Sequence, residues 1–319
     1  MSELSRLRGV VVPMVTPLRA DARTVDTEAV GRLVEFLVAG GVHGIFVAGT
    51  TGEGPLLEEG EWCELVRATS QACAGRAMIL AGVLTPGTAT ACHLASQAAR
   101  LGADVVVAST PYYYPFSEVE VRRHLEAIAA AADCPVLLYN IPQNTKVNLP
   151  YRLCAELASR GPFVGIKDSS GDLDGLRQWL PRIRQEDPSF RVFVGTDHLA
   201  DVAVLLGADG IVPSLANFAP RQVVEAFEAA SRRDWPAASR AVQLVTRLME
   251  VYDVRAPRQA GIVVGVKCAL EALGLSVGPP AFPTPPPTDE ERAFVAAVLR
   301  REGLPQGGVG WSPRPDSNR

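Results

Sequence analysis

The chain has 319 residues, 47% of them apolar and 21% charged, with a net charge of −4. That is ample material for one large α/β domain or two small ones. The mild negative charge argues against a general nucleic-acid or anionic-membrane surface, and no apolar run reaches the ~18 residues of a membrane span.

The N-terminus lacks the basic start, apolar stretch and small-residue cleavage site of a signal peptide, so a cytoplasmic protein is expected. Along the chain, short runs rich in Val, Ile and Leu alternate with longer stretches of helical period. Strands are predicted over 10–15, 44–48, 78–83, 104–108, 136–140, 163–167, 191–195 and 210–213. Between them, helices are predicted over 27–39, 58–74, 89–101, 118–132 and 149–159. Asp26 and Ser117 stand in N-cap position, the latter ahead of an acidic first turn. Buried strands alternating with helices imply a parallel sheet covered on both faces. Eight such units predict an α/β fold of the (β/α)8 TIM-barrel type over residues 1–232. An open doubly wound sheet is the runner-up, but the first strand runs into Pro13-Met14-Val15-Thr16-Pro17, without GxGxxG or Walker A, so dinucleotide binding is not expected. Beyond 232 the strand signals stop. Helices over 237–252, 259–273 and 289–301 predict a small C-terminal helical domain, 233–302, with a Pro-rich link at 279–287. Residues 303–319 are expected to be a disordered tail.

In such barrels the chemistry sits at the C-terminal strand ends. These read Gly49-Thr50-Thr51-Gly52-Glu53, Ser109-Thr110-Pro111-Tyr112-Tyr113-Tyr114, Tyr139-Asn140-Ile141-Pro142, Lys167-Asp168-Ser169-Ser170 and Gly195-Thr196-Asp197-His198. The chain holds 28 arginines but only three lysines: Lys146, Lys167 and Lys267. Lys146 lies in a polar loop and Lys267 in a helix, and for both an ordinary surface role is expected. Lys167 ends a core strand. Moving an amine out of water disfavours its charged form, and a neutral amine attacks a ketone to form a Schiff base. Arginine cannot, since it stays protonated. The competing reading is a lysine whose stem packs while its head reaches water or pairs with Asp168. Gly49 to Gly52 has the make-up of an anion cradle, two glycines for close backbone approach and two hydroxyls. Tyr139 is a candidate proton-transfer group. The exposed Tyr112–Tyr114 loop fits an interface. Six scattered cysteines and four histidines carry no metal-ligand spacing, so no metal is expected.

The order and spacing of GTTGE, TPYY, YNIP and GIKDSSGD, over residues ~8–300, resemble the pyruvate-dependent class I aldolases grouped with dihydrodipicolinate synthase and N-acetylneuraminate lyase. The resemblance implies that Lys167 forms the Schiff base with pyruvate or another 2-keto acid and that Tyr139 transfers protons. Thr50 would link Tyr139 to Tyr113 of a neighbouring subunit. Thr51, with nearby backbone amides, would hold the carboxylate, and the Val212 backbone would touch the same ligand. It also implies a homotetramer built as a dimer of dimers, and no cofactor, because the protonated imine is itself the electron sink. In the synthase an Arg follows YNxP by two residues and binds the carboxylate of aspartate semialdehyde. Here that position is Asn144, and losing such a contact costs roughly 2–3 kcal/mol. The expectation is therefore an aldolase or lyase acting on a 4-hydroxy-2-keto acid, such as a 2-keto-3-deoxy sugar acid or 4-hydroxy-2-oxoglutarate. Gly195, Asp197, Ser169 and Asn144 would line the hydroxylated tail. The alternatives are the synthase, a non-catalytic 2-keto acid-binding protein, and a phosphate-binding barrel suggested by Gly207-Ala208-Asp209-Gly210. Against the last, Pro213 lacks the N–H a phosphate needs.

Overall fold

The computed structural model describes residues 3–304. Eight parallel strands close into one barrel in sequence order: β1 (Gly9–Pro13), β2 (Gly44–Val47), β3 (Met78–Val83), β4 (Val105–Ser109), β5 (Val136–Asn140), β6 (Phe163–Asp168), β7 (Arg191–Val194) and β8 (Gly210–Ile211). The helices between them are α1 (Thr27–Ala39), α2 (Glu59–Cys73), α3 (Thr88–Ala98), α4 (Glu118–Ala131), the one-turn α5 (Pro142–Thr145), α6 (Tyr151–Ala158), α7 (Leu173–Glu186) and α8 (Ala200–Leu206). They are followed by α9 (Pro220–Ser231), α10 (Trp235–Leu248), α11 (Arg258–Ala272) and α12 (Asp289–Arg301). This is the (β/α)8 barrel with C-terminal helices that the alternation predicts.

Local chemistry starts the helices where expected. The Asp26 side chain accepts from the Ala29 N–H at 3.0 Å, and Ser117 with Glu120 forms a capping box. The inner face of α1 buries Ala29, Val30, Leu33, Val34 and Leu37, a helical stripe against the sheet. Several elements end earlier than predicted, β1 and α10 among them. The first strand stops at Pro13 because the Val15 N–H is taken by the Asn217 side chain at 2.9 Å rather than by a strand. The helix expected over 237–252 stops at Leu248, where the chain tightens into a 3-10 turn, Met249–Val254. Against that turn α11 packs closely: a Cβ at Gly261 would meet Tyr252 O at 2.1 Å, and one at Gly265 would meet Val251 O at 2.2 Å. The expected tail lies outside the described residues except for 303 and 304.

Alternation along the strands separates two apolar layers. Val11, Phe46, Leu80, Val107, Leu137, Tyr139 and Phe193 fill the barrel. Val10, Val12, Ile45, Val47, Ala108, Leu138, Ile166 and Val194 face the helices, and this outer layer continues into Val251, Val264 and Leu270 of the C-terminal segment. One strand breaks the rhythm. Phe163 faces the helices and Val164 the interior, so strict alternation would turn Lys167 outward. The β5–β6 ladder instead shifts register between Val136 and Leu137, pairing Val136 with Phe163 but Leu137 with Gly165. The extra residue in β6 is a bulge, and it turns Ile166 outward and Lys167 inward. Gly165 fits there because a Cβ would lie 2.2 Å from Arg191 O on β7.

Candidate active site

The same register shift pairs Tyr139 with Lys167 across β5 and β6. Both are buried, at 1% and 4% exposure. Lys167 Nζ lies 4.1 Å from the centroid of the Tyr139 ring and 5.0 Å from that of Phe46. The two rings meet edge to face, 6.1 Å apart. Asp168, one residue on, points the other way by the same alternation. Its carboxylate accepts from Asn140 Nδ2 at 2.9 Å and from the N–H and hydroxyl of Ser170, so the pairing of Lys167 with Asp168 weighed above does not form. Burial raises the Asp168 carboxyl above the ordinary carboxylate range, and those hydrogen bonds offset part of the rise. Lys167 thus ends in aromatic surroundings, and among the described residues no carboxylate pairs with its amine.

The turn after β2 brings the hydroxyls. Thr50 Oγ1 is 3.2 Å from Tyr139 OH, and Thr51 Oγ1 is 2.8 Å from Ser214 Oγ, in the turn beyond β8. Gly49 is seated over Phe46, where a Cβ would stand 2.7 Å from the ring. Gly195, at the end of β7, is likewise a close-approach glycine: a Cβ would lie 2.0 Å from Ser169 Oγ and 3.2 Å from Lys167 Cε. That places Gly195 and Ser169 beside the amine. Val212 is buried in the barrel interior with Tyr139 and Phe193, its N–H bonded to Val194 O at 2.8 Å. Lys167, Tyr139, Thr50, Thr51, Gly49, Gly195, Ser169 and Val212 therefore converge on one mouth.

Three expected site residues do not join them in this way. Asp197 is turned to internal partners: its Oδ1 accepts from the Leu215 N–H at 2.7 Å and from Tyr252 OH at 3.0 Å. Burial raises its carboxyl, with those two bonds opposing, and drives the Tyr252 hydroxyl well above its usual range. A carboxylate oxygen held by two protein donors tethers the β7 turn to the C-terminal segment. Asn144 is exposed on α5, at the rim. Tyr113 is 85% exposed and lies apart from Tyr139 on this chain. Its φ of +83° is a conformation that a bulky side chain rarely adopts, and its ring packs edge-on to Tyr114 at 5.0 Å. Lys267 also departs from expectation: it is fully buried and paired with Glu53 at 2.9 Å. Lys146 is exposed, donating to Gln143 O. Phe46 and Ser214 are contributors that sequence reading omits. Ser214 follows a strand end, as the chosen hydroxyls do, while Phe46 carries no polar signal. Among the described residues no group of three or more His, Cys, Asp or Glu is arranged to hold a metal ion, and no helix is long and apolar enough to cross a membrane.

The model of the dihydrodipicolinate synthetase family matches residues 6–302. A Halobacterium salinarum protein named as an uncharacterized DapA-like lyase is 36% identical over 299 residues, 93% of this chain and 95% of its own. A 4-hydroxy-tetrahydrodipicolinate synthase of Moorella thermoacetica is 35% identical, covering 92% of this chain and 98% of that one. Among solved structures, the E. coli K12 prophage protein YagE in complex with pyruvate superposes with a TM-score of 0.86 at 28% identity, covering 93% of this chain and 99% of that one.

Proposed function

The chain belongs to the dihydrodipicolinate synthetase family and is a lyase of that family, and on that premise we propose that it is a class I aldolase cleaving or forming a 4-hydroxy-2-keto acid, with pyruvate as the common product or substrate. One observation carries the reading: an inward amine, Lys167, 4.1 Å from the ring of Tyr139, whose hydroxyl bonds Thr50. The neutral amine adds to the C2 carbonyl of the keto acid, and loss of water gives an imine. Tyr139 gives its phenol proton to the departing hydroxide, and the phenolate then takes the C4 hydroxyl proton while the protonated imine draws in the electrons of the breaking C3–C4 bond and the aldehyde departs. Tyr139 returns that proton to C3 of the remaining enamine. Water then hydrolyses the imine, releasing pyruvate and restoring the amine. The Thr51 turn receives the keto-acid carboxylate, and Gly195 leaves room beside Lys167 that a side chain would fill.

Tyr113 completes the hydroxyl relay from a second subunit in this reading. Its exposure and strained backbone support that role, since a tyrosine held at φ +83° in solvent meets, among the described residues, no aromatic ring but Tyr114. The assembly is accordingly a homotetramer of paired dimers. The six free thiols suit a reducing cytoplasm. Condensation of pyruvate with aspartate semialdehyde is the second reading, favoured by relatives such as the Moorella synthase. Asn144, neutral and at the rim, weighs against it.

Borohydride with pyruvate tests the chemistry: the reduced-adduct mass should appear on the peptide holding Lys167. Pyruvate release from a panel of 4-hydroxy-2-keto acids, beside a coupled assay with aspartate semialdehyde, then decides the substrate. Substantial turnover of aspartate semialdehyde would overturn the preference for a lyase of hydroxylated keto acids.

A further inference from the structure

The turn that carries Thr51 is held from the far end of the chain. Its last residue, Glu53, has φ +58°, a left-handed conformation that L-residues other than Asn and Asp seldom take. The Glu53 carboxylate faces away from the mouth and is buried. Oε1 accepts the Ala281 N–H at 2.6 Å, and Oε2 stands 2.9 Å from Lys267 Nζ on α11. Lys267 Nζ also donates to Thr16 O at 2.9 Å and to Pro279 O at 2.7 Å. The ammonium thus hydrogen-bonds two carbonyls and ion-pairs with Glu53. Thr16 in turn donates its hydroxyl to Gly52 O. Both residues following Thr51 are thus fastened, Gly52 through Thr16 and Glu53 through Lys267 and Ala281.

A buried ion pair adds little stability over apolar residues of the same volume, whereas its directional contacts fix geometry. α11 buries Val263, Val264, Val266 and Leu270, so apolar packing already anchors it without the pair. What the pair does uniquely is join the β1 turn, the β2 turn and the C-terminal segment at one point.

We infer that Lys267 and Glu53 are positioning residues for the carboxylate-binding turn, and that the C-terminal segment through them sets the preference for a ketone bearing a carboxylate over a neutral one. The inference rests on the reading that the Thr51 turn receives the keto-acid carboxylate. Lys267→Met removes the cation. Glu53→Gln keeps the volume and an oxygen for Ala281 while removing the anion.

The test is borohydride trapping on Lys167 with two probes, pyruvate and acetone, read by the adduct mass over a range of probe concentrations. In both variants the half-saturating pyruvate concentration should rise about tenfold or more, with the limiting rate within about threefold and acetone trapping within about twofold of wild type. An unchanged half-saturation for pyruvate in Glu53→Gln overturns the inference. So does a parallel loss of both probes, because that marks general damage to the fold. Wild type that traps neither probe refutes the Schiff-base reading and the inference together. Wild type that traps both while the variants keep its pyruvate selectivity refutes the inference alone.

Discussion

Replacing Tyr139 by Phe isolates the proton-transfer role, because almost nothing else about the site changes. The ring stays 4.1 Å from Lys167 Nζ and edge-on to Phe46, and only the hydroxyl, 3.2 Å from Thr50 Oγ1, is lost. One neutral hydrogen bond contributes about 0.5–1.5 kcal/mol, so the unfolding free energy should move by no more than that. A positioned acid–base group contributes about 100- to 10,000-fold in rate, equivalent to about 2.7–5.4 kcal/mol of barrier. The assay needs no knowledge of the aldehyde. An enamine formed on Lys167 exchanges the methyl protons of pyruvate, so in D2O the methyl proton resonance decays at a rate set by imine formation and C3 proton transfer. Wild type should exchange, Tyr139→Phe should exchange at least about a hundredfold more slowly, and the borohydride adduct should still accumulate on prolonged incubation. An exchange rate within about threefold of wild type, in a variant of unchanged stability, would refute the assignment of Tyr139 as the proton carrier.

Gly195→Ala should slow the same exchange by about tenfold or more, since the new methyl would stand 2.0 Å from Ser169 Oγ and 3.2 Å from Lys167 Cε. Adding Ser169→Ala removes the worse clash and should recover part of the rate, and a double variant no better than the single would contradict the crowding argument. His124 should make the fold acid-sensitive. Burial lowers its pKa from 6.5 to about 4, against a backbone hydrogen bond to Ser109, and its ring bonds Thr88 Oγ1 at 2.9 Å. The unfolded chain then binds the extra proton first. Stability is complete above pH 6.5 and falls as pH drops towards 4, by up to about 3 kcal/mol. Urea unfolding at pH 7.5 and 5 should show a shallower loss for His124→Gln than for wild type, with His43, also lowered by burial, contributing equally to both. Identical slopes would show that His124 is not the sensor.

The barrel was legible because each strand is a short β-branched run and each early helix has a cap or a clear stripe, as Asp26 and the 118–131 segment do. Helices α7 to α9 were harder to see: Pro181 lies inside α7, and α8 has only seven residues. Lys167, Tyr139, Thr50 and Thr51 could be picked out because a strand end is a position in sequence as well as in space. Asp197 occupies the same relative position, yet its direction depends on Tyr252, a residue far along the chain whose approach no local pattern encodes. For the same reason Lys267 read as an ordinary helical lysine. Its partners Thr16, Glu53 and Pro279 come together only once the C-terminal helices close over the first two strand ends. Tyr113 gives no sign on a single chain of what it would meet.

Whether the amine faces the interior or the helix shell is decided by parity. Loops around such a barrel can lengthen or shorten by any number of residues and leave the chemistry in place. Between Phe163 and Lys167 count and bulge go together: straightening the ladder at the present length would turn the Lys167 amine out among the helices, with every chemical group of the protein still present, whereas deleting one residue along with the bulge would keep it inward.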